Sequence, residues 1–168
     1  MLLRLIAAVM IAAAGAVAGF SKADGLRKDL EISRETGELL RMSAIFIRFQ
    51  GLDVYELSDR LKNSADLHEL IFLNSLPSSF SEDENFHDLW KNAVSGQENI
   101  PAEERMILLN FGKIVGTSDI PGQLTSIEAI GAELSEIEGR RKENYTRKSR
   151  LYRSTGTLFG IMAGILII

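Results

Sequence analysis

The sequence predicts an all-α protein, an antiparallel bundle of about six helices whose first and last helices extend into N- and C-terminal transmembrane segments. Three observations lead there. Apolar residues in the middle of the chain recur at steps of three and four, with no sustained alternation of the kind a half-buried strand needs. Both chain ends are long uncharged apolar stretches. Glycines and prolines punctuate the middle at short intervals, so successive helices are joined by short connections and lie antiparallel.

Leu5 to Phe20 is a run of sixteen uncharged residues, LIAAVMIAAAGAVAGF. With Met1 to Arg4 it reaches the roughly 20 residues that span a bilayer, Arg4 reaching back to the headgroups. The first helix continues into the body with Leu39, Met42, Phe46 and Phe49 on one face, and Gly51 ends it. Val54, Leu57 and Leu61 predict a second helix; Leu67, Leu70, Ile71 and Leu73 predict a third that stops before Pro77. After a loop at 77–81, Ser81 with Glu84 reads as a capping box opening a fourth helix, whose stripe is Phe86, Leu89, Trp90 and Ala93. Ser95-Gly96 closes it. Pro101, Glu103 and Glu104 suit the first turn of a fifth helix, with Ile107, Leu108, Phe111, Ile114 and Val115 buried and Gly116 as its stop. The last helix starts near Ser118 and Asp119, carries Ile127, Ile130, Leu134 and Ile137, and meets no certain stop; Gly139 marks a bend at most. It runs on into Ser154 to Ile168, fifteen uncharged residues with Tyr152 at the predicted interface. The expected parts are a first transmembrane helix over 1–21, a cytosolic bundle over 22–153 and a second transmembrane helix over 154–168.

Charge orients these spans. Lys22, Arg27 and Lys28 follow the first, and Arg140, Arg141, Lys142, Arg147, Lys148, Arg150 and Arg153 precede the second. Short basic flanks stay in the cytosol, which puts both termini outside and the body inside. A cleaved signal peptide, with Ala16-Val17-Ala18 as its cleavage site, is the competing reading of the first segment. Residues 35–139 hold seven Lys or Arg against nineteen Asp or Glu, whereas 140–153 hold seven against one. The basic stretch is expected to lie against anionic lipid and the acidic body to point away from it. Gly15 and Gly19 in the first span, and Gly156, Gly160 and Gly164 in the second, are spaced four apart and present flat strips for membrane-helix packing. The sequence leaves open whether the spans pair with each other, with a second copy or with another protein.

Composition argues against most enzyme classes. The chain has 168 residues, 45% hydrophobic and 25% charged, a net charge of −4, no cysteine and two histidines. A cysteine nucleophile, a disulfide framework and any thiolate-ligated metal are thereby excluded. Gly112-Lys113 lacks the upstream glycine of a phosphate loop, and no serine sits in a nucleophile elbow. Glu82, Asp83 and Glu84 read as a helix-start cap, His68 and His87 as satisfied or surface residues, and Trp90 as core. Catalytic residues, cofactors, metals, nucleic acid and small-molecule substrates are not expected.

Two stretches carry a resemblance. They are Gly116-Thr117-Ser118-Asp119 with Gln123, and Leu151-Tyr152-Arg153-Ser154 leading into Gly156 and Gly160. With the N-terminal AGAVAGF they resemble the stage III sporulation protein AB family, across essentially the whole chain, although Thr155 and Thr157 stand where larger apolar residues are usual. The family in turn is similar to the F-domain of type II secretion and type IV pilus inner-membrane platform proteins. The resemblance implies a non-enzymatic platform in the mother-cell membrane around the forespore. Its implied partners are other membrane subunits of a sporulation channel, a cytosolic secretion-type ATPase and membrane lipid. Gly116, Ser118, Asp119 and Gln123 are the expected partner surface, bordering a groove. A membrane-tethered adaptor that recruits one soluble partner outside any channel is the alternative.

Overall fold

The computed structural model describes residues 2–80 and 85–167, with side chains undescribed at 2–5, 8, 12, 153, 160, 161 and 163–167. The described residues are helical, without a strand: α1 (Leu2–Gln50), α2 (Val54–Lys62), a short 3₁₀ helix (Ile71–Ser75), α3 (Phe86–Gly96), α4 (Ala102–Ile114) and α5 (Ile120–Ile167). The expected six helices thus resolve into five α-helices and one 3₁₀ helix. Of the third predicted helix, Leu67 and Leu70 are buried in the turns that precede the 3₁₀ segment, and within that segment Phe72 and Leu73 are buried while Ile71 is exposed.

Two compact units form, one from Met1–Leu30 with Arg140–Ile168 and one from Glu31–Gly139. The second holds the core. There the α1 residues 31–50 lie antiparallel to the α5 residues 120–139, with Arg34 3.7 Å from Glu138 and Arg48 3.4 Å from Glu128. Leu39, Leu40 and Ile47 of α1 are buried with Ile127, Leu134 and Ile137 of α5. Phe49, expected on the buried stripe, is instead 76% exposed, because the inward face passes through Leu40, Ser43 and Ile47. Gly51 ends α1 with φ +60°, the left-handed C-terminal stop. Asp53 then opens α2 with a capping box: its carboxylate accepts from the Tyr55 and Glu56 amides at 2.8 and 2.9 Å, and the Glu56 carboxylate accepts from the Asp53 amide.

Trp90 organises α3 and α4. Its ring is 1% exposed, lies with its centroid 5.2 Å from those of Phe72 and Phe111 and 5.9 Å from that of Phe86, and donates from Nε1 to the Leu108 carbonyl at 2.8 Å. Gly112 is the seat of that ring, since a Cβ there would come within 2.7 Å of the indole Nε1. In the Gly-Lys pair that fails as a phosphate loop, Gly112 is a packing position and Lys113 is exposed. The cap of α3 is Asn85, which accepts from the His87 amide at 2.9 Å; the expected Ser81 and Glu84 box lies outside the described residues. Pro101 sits just before α4, one position earlier than expected.

Arg105 ties the α3 end to α4. Its guanidinium donates to the carbonyls of Val94, Ser95, Gln97, Glu98 and Ile100 at 2.8 to 3.3 Å. Helix ends leave carbonyls without intrahelical partners, and one arginine here satisfies those of α3 and the connection after it. Gln97 does the same for the 3₁₀ segment, accepting from the Phe72 amide and donating to the Glu69 carbonyl at 2.8 and 2.7 Å. Gly139 leaves α5 uninterrupted as far as Ile167.

The unit made of the chain ends pairs α1 residues up to 30 with α5 residues from 140. A Cβ on Gly156 would come within 2.7 Å of the Gly15 carbonyl oxygen and 2.8 Å of the Gly19 Cα, and one on Gly19 would strike the Tyr152 carbonyl oxygen. Arg141 pairs with Asp29 at 3.7 Å. The large apolar residues here face outward, among them Val17, Phe20, Leu151, Leu158, Phe159 and Met162. One helix, over Val9–Gln50, contains a window apolar enough to cross a membrane, with mean hydropathy 1.3 and 12% of it buried; a signal sequence has the same property. The second expected span, over 154–168, falls largely on undescribed side chains, and the described residues yield this one span where two were expected.

Candidate functional site

The connection from α4 to α5 brings together all four residues of the expected partner surface. Gly116 ends α4 with φ +75°, and a Cβ there would come within 2.6 Å of Val54 Cγ1, so both conformation and space call for glycine. Asp119 caps α5, its carboxylate accepting from the Gly122 amide at 3.1 Å. Gln123 is the brace. Its carbonyl oxygen accepts from the Gly116 amide at 2.9 Å and its amide donates to the Ser118 carbonyl at 2.7 Å, with the side chain 9% exposed. Capping alone does not account for a glutamine here; a hydrogen-bonded clamp across the turn does. Ser118 and Asp119 remain on the surface.

This turn borders a recess of about 360 Å³, floored by Ile47, Leu52, Val54 and Val115 and rimmed by Asp53, Gly116, Ile120 and Gln123. Ile120, at the mouth, is 43% exposed. The Gln123 hydrogen bonds across the turn lie on one side of the opening and the capping box of Asp53 on the other. A second, larger hollow of about 930 Å³ lies beside the 3₁₀ helix, among Ile71, Leu89, Asn92 and Gln97.

The expected membrane-facing basic residues all belong to the unit of the chain ends. Lys22, Lys142, Lys148 and Arg150 are exposed. Arg27 and Lys28 share Asp24, at 3.1 and 3.9 Å, Arg147 lies 3.8 Å from Glu143, and Arg140 is exposed while Arg141 is half-buried against Asp29. The Arg153 side chain lies outside the described residues. Of the packing glycines, Gly15, Gly19 and Gly156 are brought together across the two helices; Gly160 and Gly164 lie outside the description. Ser154 and Thr155 spend their hydroxyls on the Leu151 carbonyl, at 3.1 and 2.6 Å, so these polar residues in the tail are satisfied within their own helix.

Two titratable groups stand apart. His87 Nδ1 lies 2.6 Å from the Gly112 carbonyl oxygen, in the packing around Trp90. Glu35 has a side chain 8% exposed, accepts from the Glu69 amide at 2.7 Å and lies 3.0 Å from His68 Nδ1. Burial pushes its carboxyl above the usual range, against the opposing pull of the Glu69 amide and the His68 ring. Sequence reasoning missed Glu35, Arg105 and Gln97, since each is a polar residue whose partners are backbone groups distant in sequence. It also missed Asp53 with Glu56, for which the D-x-x-E spacing was a visible signal. Glu82, Asp83 and Glu84 lie outside the described residues, and among the described ones no three His, Cys, Asp or Glu group as metal ligands.

No curated protein and no solved structure is matched by the chain. A family model does match, that of stage III sporulation protein AB, over residues 4–168, nearly the full length from the first apolar segment to the tail. The chain belongs to the stage III sporulation protein AB family.

Proposed function

We propose that the chain is a non-enzymatic, membrane-anchored assembly subunit of the secretion-like channel between mother cell and forespore, acting in endospore formation. Membership of a sporulation family supplies the setting. The observation that carries the reading is the outward apolar surface of the paired chain ends, where Leu158, Phe159 and Met162 of α5 are as exposed as Val9, Met10 and Val17 of α1. Water makes such a surface costly and lipid does not, which supports two spans rather than one. The glycine contact of Gly15, Gly19 and Gly156 pairs those spans, and the basic residues that follow the first and precede the second seat them on an anionic cytosolic leaflet. The recess beside Gly116, Ser118, Asp119 and Gln123 receives a partner, in the family's setting another membrane subunit or the cytosolic secretion-type ATPase.

Topology decides this reading, because a cytosolic ATPase is reachable only from a cytosolic bundle. The chain lacks cysteine, so Ser79→Cys places a single thiol on an exposed loop of the bundle. The expected result is no labelling by a membrane-impermeant maleimide in intact sporulating cells and full labelling after lysis. Labelling in intact cells puts the bundle outside and ends the platform reading.

A further inference from the structure

A groove of about 380 Å³ runs between α1 and α5 in the bundle unit, and its two walls differ in charge. Arg41 and Arg48 stand on the α1 wall, Glu128 and Glu138 on the α5 wall, over a floor that includes Leu40, Ala44 and Leu134. On α1 the arginines at 34, 41 and 48 recur every seven residues, two helical turns, so they form one line. Arg41 is held by Glu38 on its own helix, whereas Arg34 and Arg48 reach across to Glu138 and Glu128 at 3.7 and 3.4 Å. The arginine and glutamate lines therefore run level with each other in opposite chain directions.

The same groove carries a knob and a hole. Ile45 and Phe49 are 39% and 76% exposed on the α1 wall. On the α5 wall Gly131 has nothing within 4 Å of where its Cβ would stand. The pairings of residue 34 with 138 and 48 with 128 put residue 45 level with residue 131.

We propose that this groove is the contact surface for a second copy of the same chain. A two-fold axis lying along the groove carries each α1 wall onto the α5 wall of the other copy without changing its level. Arginines then face glutamates, and Ile45 of each copy faces Gly131 of the other. A surface that carries both signs and both shapes on opposite walls is complementary to itself, the defining property of an isologous interface. A basic helix from another protein would complement only the glutamate wall and would meet like charge on the other.

The test uses the full-length chain in its membrane, with two differently tagged copies expressed together, Ile45→Cys in one and Gly131→Cys in the other. Both positions are at the surface and the native chain contributes no competing thiol. Oxidation is expected to give a disulfide-linked species carrying both tags, in clear excess over that from two Ile45→Cys copies. Arg48→Glu on the Ile45→Cys copy is expected to lower the yield about tenfold, and Glu128→Arg on the other copy to restore it. The proposal is overturned by absence of the two-tag species, by equal yield from same-site pairs, by a yield indifferent to the charge exchange, or by crosslinking to a different protein alone.

Discussion

Phe111 and Phe159 are the same residue type on two helices of one chain, and one is fully buried while the other is 70% exposed. The contrast describes most large apolar residues of the two units, with Phe49 and Leu30 among the exceptions. In the bundle, apolar side chains point in and surround Trp90; in the paired chain ends they point out, and the helices meet through glycine backbone instead. The bundle is built as water requires, by removing apolar surface, at about 25 cal/mol per Å². In the chain ends large apolar side chains stay outward and the helices approach through Gly15, Gly19 and Gly156, the close packing of small residues that membrane helices use. One sequence therefore uses two kinds of cohesion, and each can be broken without the other.

The largest effect belongs to the bundle. Trp90→Ala removes an aromatic ring packed among Phe72, Phe86 and Phe111 and leaves the Leu108 carbonyl without its indole donor. A loss of about 3 to 5 kcal/mol is expected, read as a shift in the urea midpoint of the full chain in detergent, with the pairing of the chain ends untouched. A loss below about 1 kcal/mol would show that the aromatic cluster is not the centre of the core.

The reciprocal experiment is Gly156→Leu. The Cβ alone would press on the Gly15 carbonyl oxygen and the Gly19 Cα, and backbone cannot yield as a flexible side chain does. Overpacking of this kind costs about 1 to 3 kcal/mol. Crosslinking between cysteines placed on the two terminal helices is expected to fall, while the urea midpoint of the bundle stays at the native value. A lowered midpoint with intact crosslinking would reverse the assignment of roles.

How much of this was visible beforehand follows from the same physics. Periodicity reports burial, so Leu39, Trp90, Ile107, Phe111, Leu134 and Ile137 were legible as core, and all are buried. The uncharged run made the first terminal segment legible as apolar enough to cross a membrane, and glycine spacing made Gly15, Gly19 and Gly156 legible as a helix contact. The turn at Gly116 to Gln123 was legible as residues worth attention, but the reason for Gln123, two backbone hydrogen bonds across the turn, exists only in three dimensions. Arg105 is harder still, because its acceptors are carbonyls, which every residue carries. Leu67, Leu70, Ile71 and Leu73 fit a helical stripe in sequence, yet the regular segment is the short 3₁₀ helix Ile71–Ser75 with Ile71 exposed, because so short an apolar run does not distinguish a helix from buried turns. Phe49 misled in the other direction, since a residue that continues a stripe near a helix end can lie beyond the surface the stripe covers.

The smallest effect sharpens the comparison by asking how the bundle tolerates charge. Glu35, like Glu104, is a carboxylate buried inside the unit, and Arg34, Glu38 and Asp66 line the shallow opening beside it. Burial raises its carboxyl above the ordinary value near 4.5, and the Glu69 and Leu70 amides with His68 offset only part of that. A group whose folded value lies above its unfolded one binds its proton more tightly in the folded chain. Its contribution to stability is complete below the unfolded value and is lost as pH rises through the folded one. Glu35→Gln keeps an oxygen to accept from the Glu69 amide and cannot ionise, so it escapes that loss. The urea stability of the variant relative to the native chain is therefore expected to rise between about pH 4 and pH 7. A difference that stays flat across that range would mean that the His68 ring and the two amides compensate the buried charge in full, and that the bundle holds an ion as comfortably as water does.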